Sequence, residues 1–156
     1  MKIGLILFSH TGHTKRVGER AATRLRNDGH EVNFILLETL EPINFRADEM
    51  ALKSVPEISD FDALVLGTPV HGGRMSAPMR YFLNQTPSMN GISIVLFATN
   101  FFRSSWGATQ TLQTLRKMCE EKGAHYLGAV DIQWFSFYRN LNIKRAVDKM
   151  SAYFMG

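Results

Sequence analysis

Cysteine is almost absent: Cys119 is the only one in 156 residues. An internal disulfide is therefore excluded, and a reducing cytoplasm is the expected compartment. Cys119 falls on the apolar stripe of "TLRKMCEEKG", where core packing is expected rather than a reactive thiol. Long apolar runs are also lacking. None approaches the roughly 18 residues a membrane span needs, so no membrane insertion is expected. Met1-Lys2 leads straight into "IGLILF" and a polar loop, which is not the pattern of a secretory signal. Neither GxxxxGK[ST] nor GxGxxG occurs, so the chain carries neither a P-loop nor a dinucleotide fingerprint. Internal repeats, low-complexity segments and linkers are missing as well. With 45% hydrophobic residues, the chain is expected to form one domain over residues 1–156. Acidic residues are the minority, 14 against 18 Lys and Arg, for a net charge of +4. That excess permits contact with nucleic acid or a membrane without showing it. The basic residues are scattered, and their one denser stretch, Lys15 to Arg26, reads as a solvated helix face. No nucleic-acid partner is expected.

What is present is alternation. "KIGLILF" (2–8) is a nearly continuous apolar run, as in a strand covered on both faces. From Gly12 to Asp28, Val17, Ala21 and Leu25 recur every four residues and predict a helix, with Gly29 as its stop. "EVNFILL" (31–37), "DALVLG" (62–67), "ISIVLFA" (92–98) and "HYLGAVDI" (125–132) read as further strands. Residues 41–58, framed by Pro42 and Pro56, are ambiguous and leave room for one short helix. Ser76 is placed to cap a helix with Pro78 in its first turn and Met79, Phe82 and Leu83 inward. Ala108, Leu112, Leu115 and Cys119 predict another helix closed by Gly123, and a last one runs from about Leu141 to Phe154. Strands alternating with helices imply parallel pairing through right-handed crossovers. The expected fold is α/β, a three-layer sandwich around a five-stranded parallel sheet. Such sheets bind ligands at the carboxyl ends of the strands, where the strand order reverses.

Three loops lie at that end. The first is "SHTGHT" (9–14). Ser9, Thr11 and Thr14 offer hydroxyls, and Gly12 allows close backbone approach. The following helix presents free N–H groups and a positive dipole end, a pocket suited to a phosphate. An ordinary helix cap also uses Ser or Thr, but it uses one hydroxyl rather than three. The second loop, "GTPVHGGRMSAP" (67–78), is long and carries adjacent glycines, Gly72 and Gly73. His71 there either edges a ring or hydrogen-bonds within the turn. The third, "ATNFFRSSWGA" (98–108), crowds Phe101, Phe102 and Trp106, which suits stacking on a planar ligand or folding back onto the core.

Strand–S-x-T-G-x-T–helix, then "GTPVHGG", then an aromatic third loop resembles the flavodoxin family over the whole chain. The resemblance implies a sheet order of 2-1-3-4-5 and FMN as cofactor. It implies that Ser9, His10, Thr11, Gly12, His13 and Thr14 hold the FMN phosphate. By the same analogy Thr68, Pro69, Val70, His71, Gly72 and Gly73, with Thr99, Asn100, Phe101 and Phe102, enclose the isoalloxazine. Phe102 stands five residues before Gly107-Ala108, the spacing of the family's stacking aromatic, so the resemblance implies that Phe102 stacks on the ring, with Trp106 and Gly107 also among the cofactor-binding residues. Gly72 or Gly73 would supply a peptide carbonyl that turns toward flavin N5–H on reduction.

Three departures bear on function. Flavodoxins are strongly acidic, whereas this chain is basic, which points to an acidic redox partner. The second loop has no tryptophan; Val70 or His71 stands there, leaving that ring face open. "TPVHGG" also resembles the quinone-reductase branch related to the tryptophan-repressor-binding proteins. Two functions follow. One is an electron carrier between proteins, favoured by the minimal single domain. The other is an FMN-dependent NAD(P)H oxidoreductase acting on a small quinone-like acceptor, favoured by the open ring face. No side chain is assigned a catalytic proton-transfer role, and no metal is expected.

Overall fold

The computed structural model of the chain describes residues 1–101 and 106–156. Its elements are β1 (Lys2–Leu7), α1 (His13–Asn27), β2 (Glu31–Leu36), β3 (Ala63–His71) and β4 (Arg74–Met75), followed by α2 (Ala77–Gln85), β5 (Ser93–Asn100), α3 (Trp106–Glu121), β6 (His125–Gln133) and α4 (Arg139–Tyr153). The sheet has six strands rather than the five expected. Its five long strands run parallel in the order β2-β1-β3-β5-β6, which is the anticipated 2-1-3-4-5 order with β4 set aside. The extra strand, β4, pairs antiparallel with the end of β3, Val70 opposite Met75 and His71 opposite Arg74.

That hairpin corrects the reading of residues 67–78 as an irregular loop. Gly72 and Gly73 are the two residues of its turn, both with positive φ (57° and 77°). Two successive left-handed residues make a turn whose twist matches the strands it joins, and glycine enters that conformation without strain.

The continuous apolar runs are explained by two cores. Residues alternate along each strand, so every second side chain faces one helix layer. Ile3, Leu5 and Leu7 join Val65, Val95 and Ile132 in packing against α1 and α4. Ile6, Leu64, Leu66, Ile94 and Leu96 pack on the opposite side with Met79, Phe82 and Leu83 of α2 and with Leu115 and Cys119 of α3. The stripe Val17, Ala21 and Leu25 is buried as its spacing requires. The α1 helix stops as expected: Gly29 has φ 97°, its N–H reaches Arg26 O at 3.0 Å, and His30 N–H reaches Leu25 O at 3.1 Å. These two bonds satisfy carbonyls that the helix end would otherwise leave open.

Two local expectations differ. Ser76 precedes α2 but makes no side-chain cap; its hydroxyl lies 3.0 Å from the Thr68 hydroxyl instead. Between Pro42 and Pro56 no helix forms. Thr39 bridges Leu52 antiparallel, with Leu40 N–H to Ala51 O at 3.1 Å and Lys53 N–H to Glu38 O at 2.8 Å. Leu52 and Ile58 anchor this connection in the α2–α3 core, and buried Met50 ties it to the start of α2 through its N–H to Ala77 O at 3.3 Å, so it folds as a broad loop over the sheet end.

Candidate functional site

The first loop starts from a local constraint. Gly12 takes φ 91° at the N-cap of α1, and its carbonyl accepts the first helical bond from Arg16 N–H at 3.0 Å. The Ser9 hydroxyl accepts from Lys15 N–H at 3.2 Å and so satisfies one of the free donors of the first turn. The N–H groups of His13 and Thr14 have no partner within the helix. Thr14 is fully buried, and its hydroxyl meets that of Thr99 at 2.7 Å, which fastens the start of α1 to the end of β5. Thr11 is exposed. The three hydroxyls thus have three different situations: a helix cap, an exposed donor, and a buried tie.

Beside this turn lies a cavity of about 260 Å³. His10, Thr11, His13 and Thr14 line it from the first loop. Pro69, Val70 and His71 line it from the hairpin, and Thr99, Asn100 and Phe101 from the end of β5. All three loops singled out by sequence therefore meet at one place, at the carboxyl ends of β1, β3 and β5. None of the described residues that line the cavity is acidic.

Not every residue expected there lines it. Thr68 is fully buried beneath the hairpin, where its hydroxyl sits 2.9 Å from Pro69 O and accepts from Ser76 N–H at 3.0 Å. Gly72 and Gly73 stand at the hairpin tip, and Ser9 and Gly12 shape the helix start. Gly107 packs under the hairpin: a Cβ there would come within 3.2 Å of Gly73 Cα and Val70 Cγ1. Phe102 and the side chain of Trp106 lie outside the described residues.

Two further residues complete the walls. Phe45, carried in by the broad loop, meets His71 edge-on at 4.7 Å and His10 edge-on at 5.1 Å. Trp134, just beyond β6, stacks on His13 at 4.1 Å with an interplanar angle of 14°. Phe101 lies parallel to the same imidazole at 6.3 Å. Sequence reasoning missed both Phe45 and Trp134. A signal existed for the second: "WFSFY" (134–138) concentrates four aromatics directly after a strand.

Electrostatics divide the cavity into two ends. Burial pushes the half-buried His71 down to about 4, aided by His10 nearby, so its ring is neutral at physiological pH. At the other end, burial lowers His13, and the charges of Arg139 and Arg16 push the same way. Those two guanidinium groups lie 5.0 and 5.8 Å from the centre of the Trp134 ring. Arg139 Nε is buried and has no hydrogen-bond partner.

Residues 1–135 match the model of a family described as NADPH-dependent FMN reductase. The chain belongs to this family. Among curated relatives, it is 31% identical to an NAD(P)H dehydrogenase (quinone) of Brucella anthropi over 93 residues, 55% of this chain and 47% of that one. A protein of the same name from Methylocella silvestris is 30% identical over 91 residues, 54% of this chain and 46% of that one. The chain thus spans about half the length of the curated relatives it matches. Solved flavodoxins share the fold of this chain end to end. Flavodoxin 2 of Bacillus cereus aligns with TM-score 0.73 at 16% identity, covering 99% of both chains. A flavodoxin of Pseudomonas aeruginosa aligns with TM-score 0.72 at 18% identity, covering 100% of both. The flavodoxin-like fold expected from the three loop motifs is therefore the fold of this FMN reductase family member.

Proposed function

We propose that this family member binds FMN at the α1 N-terminus and works in electron transfer. The observation that carries the reading is a surplus of donors at one end of a ring-lined cavity. The His13 and Thr14 N–H groups and the exposed Thr11 hydroxyl face no carboxylate among the lining residues, and the Arg139 and Arg16 charges, outside the cavity wall, are close enough to act on His13. Helix N-termini with free amides are anion sites, and backbone donors hold a phosphate without an obligatory salt bridge. The phosphate end of FMN fits that donor set, and the flat ring fits between the hairpin and the end of β5. Bound there, FMN supplies one- or two-electron redox chemistry, which the protein tunes. The chain's own residues orient it. Val70 and His71 from the hairpin and Phe101 from the end of β5, which line the cavity, would hold the ring. His71 is neutral and adds no charge beside the ring. The absence of any described spanning helix and the buried single thiol suit a cytoplasmic protein.

A second reading has specific support. Family membership and the two quinone dehydrogenases favour direct reduction by NAD(P)H, with a small quinone-like acceptor in place of an acidic redox partner protein. The near-complete overlay on flavodoxins favours the carrier. Anaerobic stopped-flow mixing of the FMN-loaded protein with NADPH and NADH separates them. A carrier bleaches slowly with either nucleotide and rapidly with a reductase protein. Bleaching within a second, with repeated turnover on a quinone, establishes the oxidoreductase.

A further inference from the structure

The segment that follows β6 is built differently from the other surface turns. Phe135, Phe137 and Tyr138 are 63%, 99% and 70% exposed. They are not exposed because the loop is loose. Its backbone is closed on itself: Ser136 N–H donates to Trp134 O at 3.0 Å, Arg139 N–H to Ser136 O at 3.2 Å, and Asn142 N–H to Tyr138 O at 2.8 Å. The Ser136 hydroxyl also accepts from Tyr138 N–H at 3.1 Å. Trp134 is buried below as the base of the segment. Three rings are therefore held outward by a fixed turn. Soluble surfaces seldom leave such a patch without a use.

The charge around this lip is one-sided. It sits at the start of α4, and α4 packs beside α1 on the same face of the sheet. Five basic residues and one acidic residue lie on α1, and four basic and one acidic on α4. The acidic residues of this layer are already engaged. Glu19 pairs with Lys15, and Asp28 and Asp148 both pair with Arg24. Among the described residues, Arg16, Arg20, Arg139, Lys144, Arg145 and Lys149 make no ion pair. Asp131 shares a shallow cleft with Arg145 and Lys149 without closing a bridge. At 1.5 Å per residue, Arg16, Arg20, Arg139, Lys144 and Arg145 lie within about 10 Å of the lip end along their helices. The rest of the surface offsets this layer, because the whole chain carries only +4.

We propose that the Phe135–Tyr138 lip and the basic α1–α4 face dock this protein on an anionic lipid surface. Aromatic side chains settle at the boundary between head groups and acyl chains, and unpaired Lys and Arg are drawn to anionic leaflets. The arrangement matches that boundary in order: rings outermost, guanidinium and ammonium groups behind them. A protein partner would need a pocket shaped for Phe137, which touches almost nothing in its own fold; a bilayer receives a protruding ring anywhere. The contact is peripheral, and no described helix is long and apolar enough to cross a membrane. The lip adjoins the cavity, since Phe135 meets Phe101 with ring centres 5.7 Å apart. The docking itself does not rest on the flavin reading.

The test is co-sedimentation of the full FMN-supplemented chain with sucrose-loaded vesicles. One set is phosphatidylcholine alone; the other is phosphatidylcholine mixed with phosphatidylglycerol. The wild-type protein is expected to sediment with the phosphatidylglycerol vesicles and much less with phosphatidylcholine. Raising salt should weaken that binding. Phe137→Ser, at a position too exposed to disturb folding, should lower the partition coefficient several-fold, and Phe135→Ser/Phe137→Ser more than tenfold. Lys144→Gln/Arg145→Gln should lower it on the anionic vesicles only. In Phe137→Trp, emission should shift to the blue when anionic vesicles are added. Failure to sediment with anionic vesicles, or equal sedimentation of the wild type and Phe135→Ser/Phe137→Ser, overturns the proposal. Concentration-dependent self-association that Phe137→Ser abolishes, without vesicle binding, overturns it in favour of a protein–protein contact.

Discussion

The hydroxyls of Thr14 and Thr99 meet 2.7 Å apart in the interior, joining the first helix to the end of β5. Both residues are buried, so each hydroxyl depends mainly on the other for a partner. A buried polar group that loses its partner costs about 1–3 kcal/mol. Thr14→Val should therefore lower unfolding stability by that amount in urea titrations. Thr11→Ala, at an exposed position, should stay within about 0.5 kcal/mol of the wild type. The same pair should separate in flavin binding. Thr11→Ala removes a donor to a charged phosphate and should weaken FMN binding roughly tenfold, with stability intact.

His71 gives a pH signature. Its folded pKa is pushed from 6.5 down to about 4 by burial and by His10. The unfolded state therefore binds the proton more readily. The stabilisation from a neutral His71 is complete above pH 6.5 and is lost progressively as pH falls toward 4. The thermal midpoint of the wild type should fall through this window, and His71→Gln should flatten that part of the profile. A two-dimensional NMR titration should find the His71 ring still neutral at pH 5.5, well above its own pKa. A ring that titrates near 6.5 would show that the hairpin does not enclose it.

The hairpin tip offers a stability test free of packing. A Cβ on Gly72 would meet nothing within 4 Å, so only its φ of +57° opposes a side chain. Gly72→Ala should cost about 1–2 kcal/mol, the penalty of a left-handed L-residue. Gly107→Ala differs, because its Cβ would press on Gly73 Cα and Val70 Cγ1 at 3.2 Å. It should displace the hairpin and weaken flavin binding more than it lowers the melting temperature.

Cys119 should be silent. It is fully buried in the α2–α3 core, and burial pushes its thiol up to about 12. A chromogenic disulfide reagent should fail to label the native protein at pH 8 and label it promptly in denaturant.

The strands were legible because a parallel strand buried on both faces needs an unbroken apolar run, and "KIGLILF", "DALVLG" and "ISIVLFA" supply one. The helices followed from stripes such as Val17, Ala21 and Leu25 that drive one face into the core. The three cavity loops were legible because hydroxyls, glycines and aromatics stand together at strand ends. Local pattern does not say which partner a side chain finds. Thr14 read as a phosphate donor and Thr68 as a ring contact, but tertiary packing turns their hydroxyls onto Thr99 and Ser76. The β3–β4 hairpin was missed although Gly72-Gly73 is a strong turn signal, because its strand β4 is only two residues long. Phe45 was invisible because the 41–58 stretch has no period, and its position comes from Met50, Leu52 and Ile58 anchoring elsewhere. Trp134 and the lip beyond it lay between two predicted elements, where a run of aromatics has no secondary-structure meaning of its own.

In the proposed site the phosphate of FMN rests on the free amides of His13 and Thr14. The direct measurement is fluorescence titration of the apoprotein with FMN and with riboflavin, which share the ring and differ in the phosphate. Two charge-assisted hydrogen bonds, at about 1.5–3 kcal/mol each, predict FMN binding at least about a hundredfold tighter than riboflavin. Equal affinity for the two flavins would contradict the account.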